Sequence, residues 1–176
     1  YARSGTFASM DTPGAYEMKA TEAFYYVTQP EKDWDAKHKD EHLRAFNPPV
    51  MTIVTIHEAY PGHYAQFLNA NQFPTKTRKI LFCSSNVEGW AHYSEQMLLD
   101  QGFGGAGIEA AKYRLAQSDE ALLRICRLCV SIKMHCHGMS VDGATQFFRN
   151  NCYYEEKPAR QEAMRAHEAA NVRSNL

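Results

Sequence analysis

No stretch of this sequence is apolar for long enough to cross a bilayer. The longest runs, such as "MTIVTI" and "ILFC", fall far short of the roughly 20 residues a spanning helix needs. Nor does any block of like charge extend to five residues, and 19 basic against 20 acidic side chains leave a net charge of -1. That balance gives no footprint for nucleic acid and none for a polybasic membrane-binding surface. Cysteine is sparse and odd in number, with three of the five (Cys126, Cys129, Cys136) in one helical segment. An odd set without regular spacing argues against a disulfide scaffold and for a reducing compartment. No signal peptide is visible. The chain opens "YARSG" without an initiator methionine, so an internal piece of a longer polypeptide is expected, with any leader upstream and the compartment left open. What the sequence does have is 44% apolar residues over 176 positions. This excludes disorder and suits one domain with a sizeable core, or one piece of a larger domain.

The pattern along the chain predicts a mainly α architecture with a small β element near the N-terminus. Residues 1–29 are rich in Gly, Thr, Pro and aromatics, and two short strands are expected at 14–19 and 22–28, "FYYVT" being the better one. The charged stretch 33–46 reads as a polar helix stopped by "NPP". An apolar helical stretch covers 50–70, interrupted at Pro61-Gly62. A further helical region follows Pro74 and ends at the glycines of 102–107. From Ile108 to Gly138, Leu115, Leu122, Cys126 and Val130 recur at spacings of 7, 4 and 4, one face of a long amphipathic helix closed by Gly138. Ser140 suits the N-cap of the next helix, and a last charged helix is expected over 158–170.

The stretch that bears on chemistry is "IVTIHEAYPGHYAQFLN", residues 53–69. Two histidines at i and i+4 on a helix lie about 40° apart around its axis and reach one ion together. His57 and His63 are spaced i and i+6, about 120° short of two full turns, so a straight helix points them apart. Pro61 resolves the conflict. It has no N–H for the carbonyl of His57, and it pushes Tyr60 out of helical dihedrals. Gly62 tolerates the backbone angles that remain. Two residues are thereby extruded, and His63 returns over His57. A catalytic zinc takes three protein ligands and leaves one position for water. Downstream, "NVEGWAHYSEQ" offers Glu88, 25 residues after His63, with Glu95 as the alternative carboxylate. Glu58, next to His57, suits the general base that takes a proton from water and carries it to the leaving amine. His92 and Glu95, or Asp100, are candidates for hydrogen bonds to the ligand imidazoles.

"HEAYPGHYAQ" followed by "EGWAHYSE" resembles a large, mainly bacterial family catalogued as domain of unknown function 885, grouped with gluzincin-type zinc metallopeptidases. "EAFYYVTQP", "HLRAFN" and "MHCHGMSVDGATQFF" are similar to family segments too, so the likeness extends over most of the chain. The resemblance implies a metallopeptidase-like helical core. It implies one Zn2+ per chain held by His57, His63 and Glu88, Glu58 as catalytic base, and a peptide substrate aligned by β-augmentation, for which residues 22–28 are the candidate edge. Family members run to several hundred residues, with a later segment resembling "DPxYLxYxxGK" whose tyrosine would assist the oxyanion. Here "RAHEAANVRSNL" ends the chain, which reads as a fragment carrying ligands and base.

Other side chains carry weaker signals. "CRLC" at 126–129 is too compressed with its following histidines for a zinc finger, and its helical periodicity makes cysteine a small core residue. Tyr60 and His135 are candidate substrate contacts. Arg127, a turn from Arg124, suits either a clamp on a peptide carboxylate or a buried ion pair. Trp90 is expected to pack the ligand helix. Two rival functions use the same residues. A two-His, one-carboxylate set also serves non-haem iron, and a non-catalytic metal- or peptide-binding fragment needs no Glu58. The oligomeric state is not readable from the residues.

Overall fold

The computed structural model describes residues 7–19 and 21–174. In chain order the elements are β1 (Ala8–Asp11), β2 (Phe24–Val27), α1 (Ala36–Ala45), α2 (Pro48–Glu58), α3 (His63–Ala70), α4 (Lys76–Ile80), α5 (Ser84–Asp100), α6 (Gly107–His137), α7 (Val141–Asn151) and α8 (Glu156–Ser174). The protein is mainly α with one two-stranded antiparallel sheet near its N-terminus. No described helix is long and apolar enough to cross a membrane.

The chain divides into two compact units, and α6 contributes its first part to one and the remainder to the other. One unit comprises residues 7–28 and 48–117. In it, β1 and β2 pair in a register running from Ala8 opposite Val27 to Asp11 opposite Phe24. The core gathers Val50, Ile53 and Ile56 of α2, Leu99 of α5 and Ala116 of α6, with Leu98 and Tyr113 packed against it. Along α2 the residues at 50, 53 and 57 share a stripe with 3.6-residue periodicity, so burying the aliphatic side chains carries His57 inward with them.

The other unit holds residues 29–47 and those from 118 onward. Its core is Leu123, Cys126 and Val130 of α6, Ala144 and Phe148 of α7, Cys152, and Ala159 and Ala163 of α8. Small residues on α8 let that helix lie close to its neighbours. Arg127 reaches Glu162 through Nε and Nη2 at 2.6 and 2.7 Å. Its guanidinium is therefore engaged in the ion pair that was one of the two expectations for it. All five cysteines are free, Cys126 and Cys152 being buried as small core residues.

Several sequence expectations are met. Ser140 caps α7 by accepting from the Gly143 N–H, and the charged stretch 33–46 is helical, though only from Ala36 to Ala45, behind an Asp35 cap that accepts from the His38 N–H. Gly138, at φ +67, ends α6 where a left-handed residue is needed. Others need correction. Residues 14–19 form no strand; the Glu17 N–H bonds back to the Gly14 carbonyl at 2.9 Å and closes a turn. The partner of β2 is instead "ASMD", a segment of low intrinsic β preference that is extended through pairing. The region after Pro74 is two helices, parted where Leu81 and Cys83 adopt extended angles. Leu115 is 73% exposed, off the face expected of it, because Ala116 is the α6 residue that enters the core at that level.

Candidate metal centre

Three donors converge within the unit built from residues 7–28 and 48–117. His57 ends α2, His63 begins α3, and Glu88 lies in the second turn of α5. The break between the histidines has the expected physical form. The Gly62 N–H donates to Ile56 O at 3.1 Å and the Ala65 N–H to Ala59 O at 3.4 Å. Each bond reaches back six residues rather than the four of an α-helix, which accounts for two extruded residues. The Tyr60–Pro61 peptide within this detour is cis. The imidazole centroids of His57 and His63 end up 4.7 Å apart with their planes nearly perpendicular, at 86°.

Glu88 faces both rings. Its Oε2 is 3.6 Å from His57 Nε2 and its Oε1 is 3.7 Å from His63 Nε2. One ligand atom from each of the three residues can be chosen so that all lie within 4.8 Å of one another. Bonds of about 2.0–2.1 Å arranged tetrahedrally put donors about 3.3–3.4 Å apart, so the two Glu88–histidine separations are close to that value and the widest separation in the set would shorten by up to about 1.4 Å around an ion. Two imidazole nitrogens and a carboxylate oxygen form a borderline donor set that suits zinc and also accepts iron. The histidines are buried while the Glu88 side chain is 65% exposed, so the cluster meets solvent on its carboxylate side. The site fits a divalent metal.

Glu95 lies behind the histidines rather than in the cluster. It is fully buried, with Oε1 2.8 Å from His57 Nδ1 and Oε2 3.0 Å from His92 Nδ1. A carboxylate can only accept there, so a neutral His57 carries its proton on Nδ1 and keeps its Nε2 lone pair on the side of Glu88 and His63. Glu88 is therefore the carboxylate of the cluster and Glu95 the one behind it. Replacing Glu95 with alanine is expected to weaken zinc binding about 10- to 100-fold, read by competition with a chromophoric chelator. Unchanged affinity would show that His57 needs no such support.

Glu58, the last residue of α2, is half-buried. The Tyr25 hydroxyl on β2 is 3.2 Å from Thr55 Oγ1; burial raises its phenol above its ordinary pKa, against that hydrogen bond, and the charge of Glu58 adds to the rise. Tyr60, in the detour, is 71% exposed. Asp100 pairs with Arg114. Arg127 and His135 belong to the other unit. Packing is the expectation for Trp90, yet its indole N–H also donates to Pro61 O at 2.9 Å; its position two residues after Glu88 is the available signal.

Fold and site together define a helical centre of two histidines and one carboxylate, with a glutamate following the first histidine. The chain belongs to the family described as "Bacterial protein of unknown function (DUF885)", whose model matches residues 1–170. Among solved structures it is similar to one titled "The structure of a putative lipoprotein of unknown function from Shewanella oneidensis", at 29% sequence identity and a TM-score of 0.72. That match covers 90% of this chain and 28% of the other, so the chain spans little more than a quarter of that relative's length. No curated protein matches the chain.

Proposed function

We propose that this chain carries the metal centre of a zinc-dependent hydrolase that cleaves peptide bonds. The observation that supports it most strongly is the convergence of His57, His63 and Glu88, with donors within 4.8 Å, directly beside Glu58. When bound, Zn2+ would polarise the scissile carbonyl and lower the pKa of a bound water to about 7. His57 and His63 would hold the ion from the buried side and Glu88 from the exposed side. Glu95 keeps His57 in the tautomer that presents Nε2. Glu58 takes the proton from the attacking water and delivers it to the leaving amine. The charge of Glu58 gives it a clear task in hydrolysis and none in the oxygen chemistry of a non-haem iron site, which favours zinc over iron.

The test is elemental analysis of purified protein together with hydrolysis of a peptide library. About one zinc per chain and chelator-sensitive cleavage are the expected results. Iron in place of zinc would overturn the assignment. Zinc binding with no turnover in the full-length polypeptide would favour a metal- or peptide-binding role. The lipoprotein description of the Shewanella oneidensis relative supports an exported setting, against the reducing compartment suggested by the odd cysteine count.

A further inference from the structure

We infer that Trp90 is a positioning residue for the metal centre, an inference that rests on the reading of that centre as a zinc site. A single peptide plane carries the argument, the one joining Pro61 to Gly62. Its N–H, on Gly62, donates to Ile56 O on α2 at 3.1 Å. Its C=O, on Pro61, accepts from the Trp90 indole on α5 at 2.9 Å. In a regular helix the Pro61 carbonyl would receive the N–H of Ala65, but that N–H goes to Ala59 O instead. The indole takes the place of the absent helical donor.

This plane immediately precedes His63, so its orientation sets where α3 starts and where the second imidazole points. One end is tied to the helix that carries His57, and the other to the helix that carries Glu88, two residues before Trp90. The segments that carry all three donors thus meet at this one peptide plane, and Trp90 supplies the connection to the carboxylate helix. A packing role alone would require the ring and not its N–H. The ring is 38% exposed and stands 6.0 Å from Tyr93, so water competes for the indole hydrogen, and the effect of deleting it is that of one ordinary hydrogen bond.

The decisive variant replaces Trp90 with 3-benzothienylalanine, which keeps the bicyclic shape and exchanges the N–H for sulfur; Trp90→Phe is the genetic counterpart. Three quantities are measured: zinc affinity by chelator competition, hydrogen exchange of the Gly62 amide in metal-free protein, and the urea midpoint. Loss of one hydrogen bond predicts zinc affinity lower by about 3- to 10-fold and Gly62 exchange faster by a similar factor, with the midpoint little changed in the benzothienyl protein. Zinc affinity and Gly62 exchange both equal to wild type would overturn the inference, as would changes that merely follow a fallen midpoint. If wild-type protein takes up no zinc, the hydrolase reading fails on that measurement. Gly62 exchange in metal-free protein then decides the role of Trp90 by itself, faster exchange supporting it and equal exchange overturning it.

Discussion

Replacing Gly62 with alanine is expected to abolish the metal centre, with zinc affinity falling at least ~100-fold, equivalent to about 2.7 kcal/mol. A Cβ on Gly62 would stand 1.8 Å from His57 O, 2.4 Å from Ile56 O and 2.5 Å from His57 C. All three are main-chain atoms, so no side-chain rotation relieves the overlap. Either the detour opens, which breaks the bond from the Gly62 N–H to Ile56 O, or the end of α2 moves and takes the His57 imidazole with it. Both routes separate His57 from His63. Overpacking of this kind commonly costs about 1–3 kcal/mol of stability where neighbours can yield, and backbone neighbours yield less than side chains. Gly89 provides the control, since it neighbours Glu88 on α5 and its Cβ would meet nothing within 4 Å. Gly89→Ala should leave zinc binding unchanged and stabilise the protein by about 0.5–1 kcal/mol through helix propensity. Chelator competition and urea titration of both variants make the comparison. A Gly62→Ala protein that binds zinc within threefold of wild type would show that the detour is not needed to aim His63.

The detour also shows how much of this molecule is legible in its residues. The i, i+6 histidine spacing conflicts with a straight helix, and Pro61-Gly62 is a local chemical reason for the break, so convergence follows from sequence and dihedral rules alone. Helix identities follow as well, because the 3.6-residue stripes of α2 and α6 and the caps Ser140 and Gly138 are local features. What is not legible depends on tertiary pairing. "ASMD" has no strand pattern of its own and is extended because β2 lies beside it. Glu88 and Glu95, both on α5, are both reasonable ligands by spacing; only the observed bonds show that Glu95 turns both oxygens toward imidazole Nδ1 atoms while Glu88 faces Nε2 atoms. Leu115 follows the periodicity of α6, but the core neighbours change along that helix and leave it exposed. The bond from Trp90 to Pro61 needs the positions of two separate elements, which no residue pattern encodes.

Glu58→Gln separates metal binding from catalysis. The variant should retain about one zinc per chain, since Glu58 stands outside the cluster formed by His57, His63 and Glu88. Peptide hydrolysis should fall by about 10²- to 10⁴-fold, the usual contribution of a positioned general base. Glutamine matches glutamate in size and removes only the charge and the basicity, so a loss of rate at full zinc occupancy is assigned to proton transfer. A second signal comes from Tyr25, whose phenol is raised first by burial and then by the negative charge of Glu58. That charge disfavours the phenolate; its removal should bring the Tyr25 pKa back down toward its ordinary value, while the contribution of burial remains. Site-resolved NMR titration of labelled tyrosine in metal-free Glu58→Gln protein reads this shift directly. A downward shift in Tyr25 with hydrolysis maintained within tenfold of wild type would show that Glu58 had been neutralised in place without loss of turnover, and the water-activating role would then have to belong to another group.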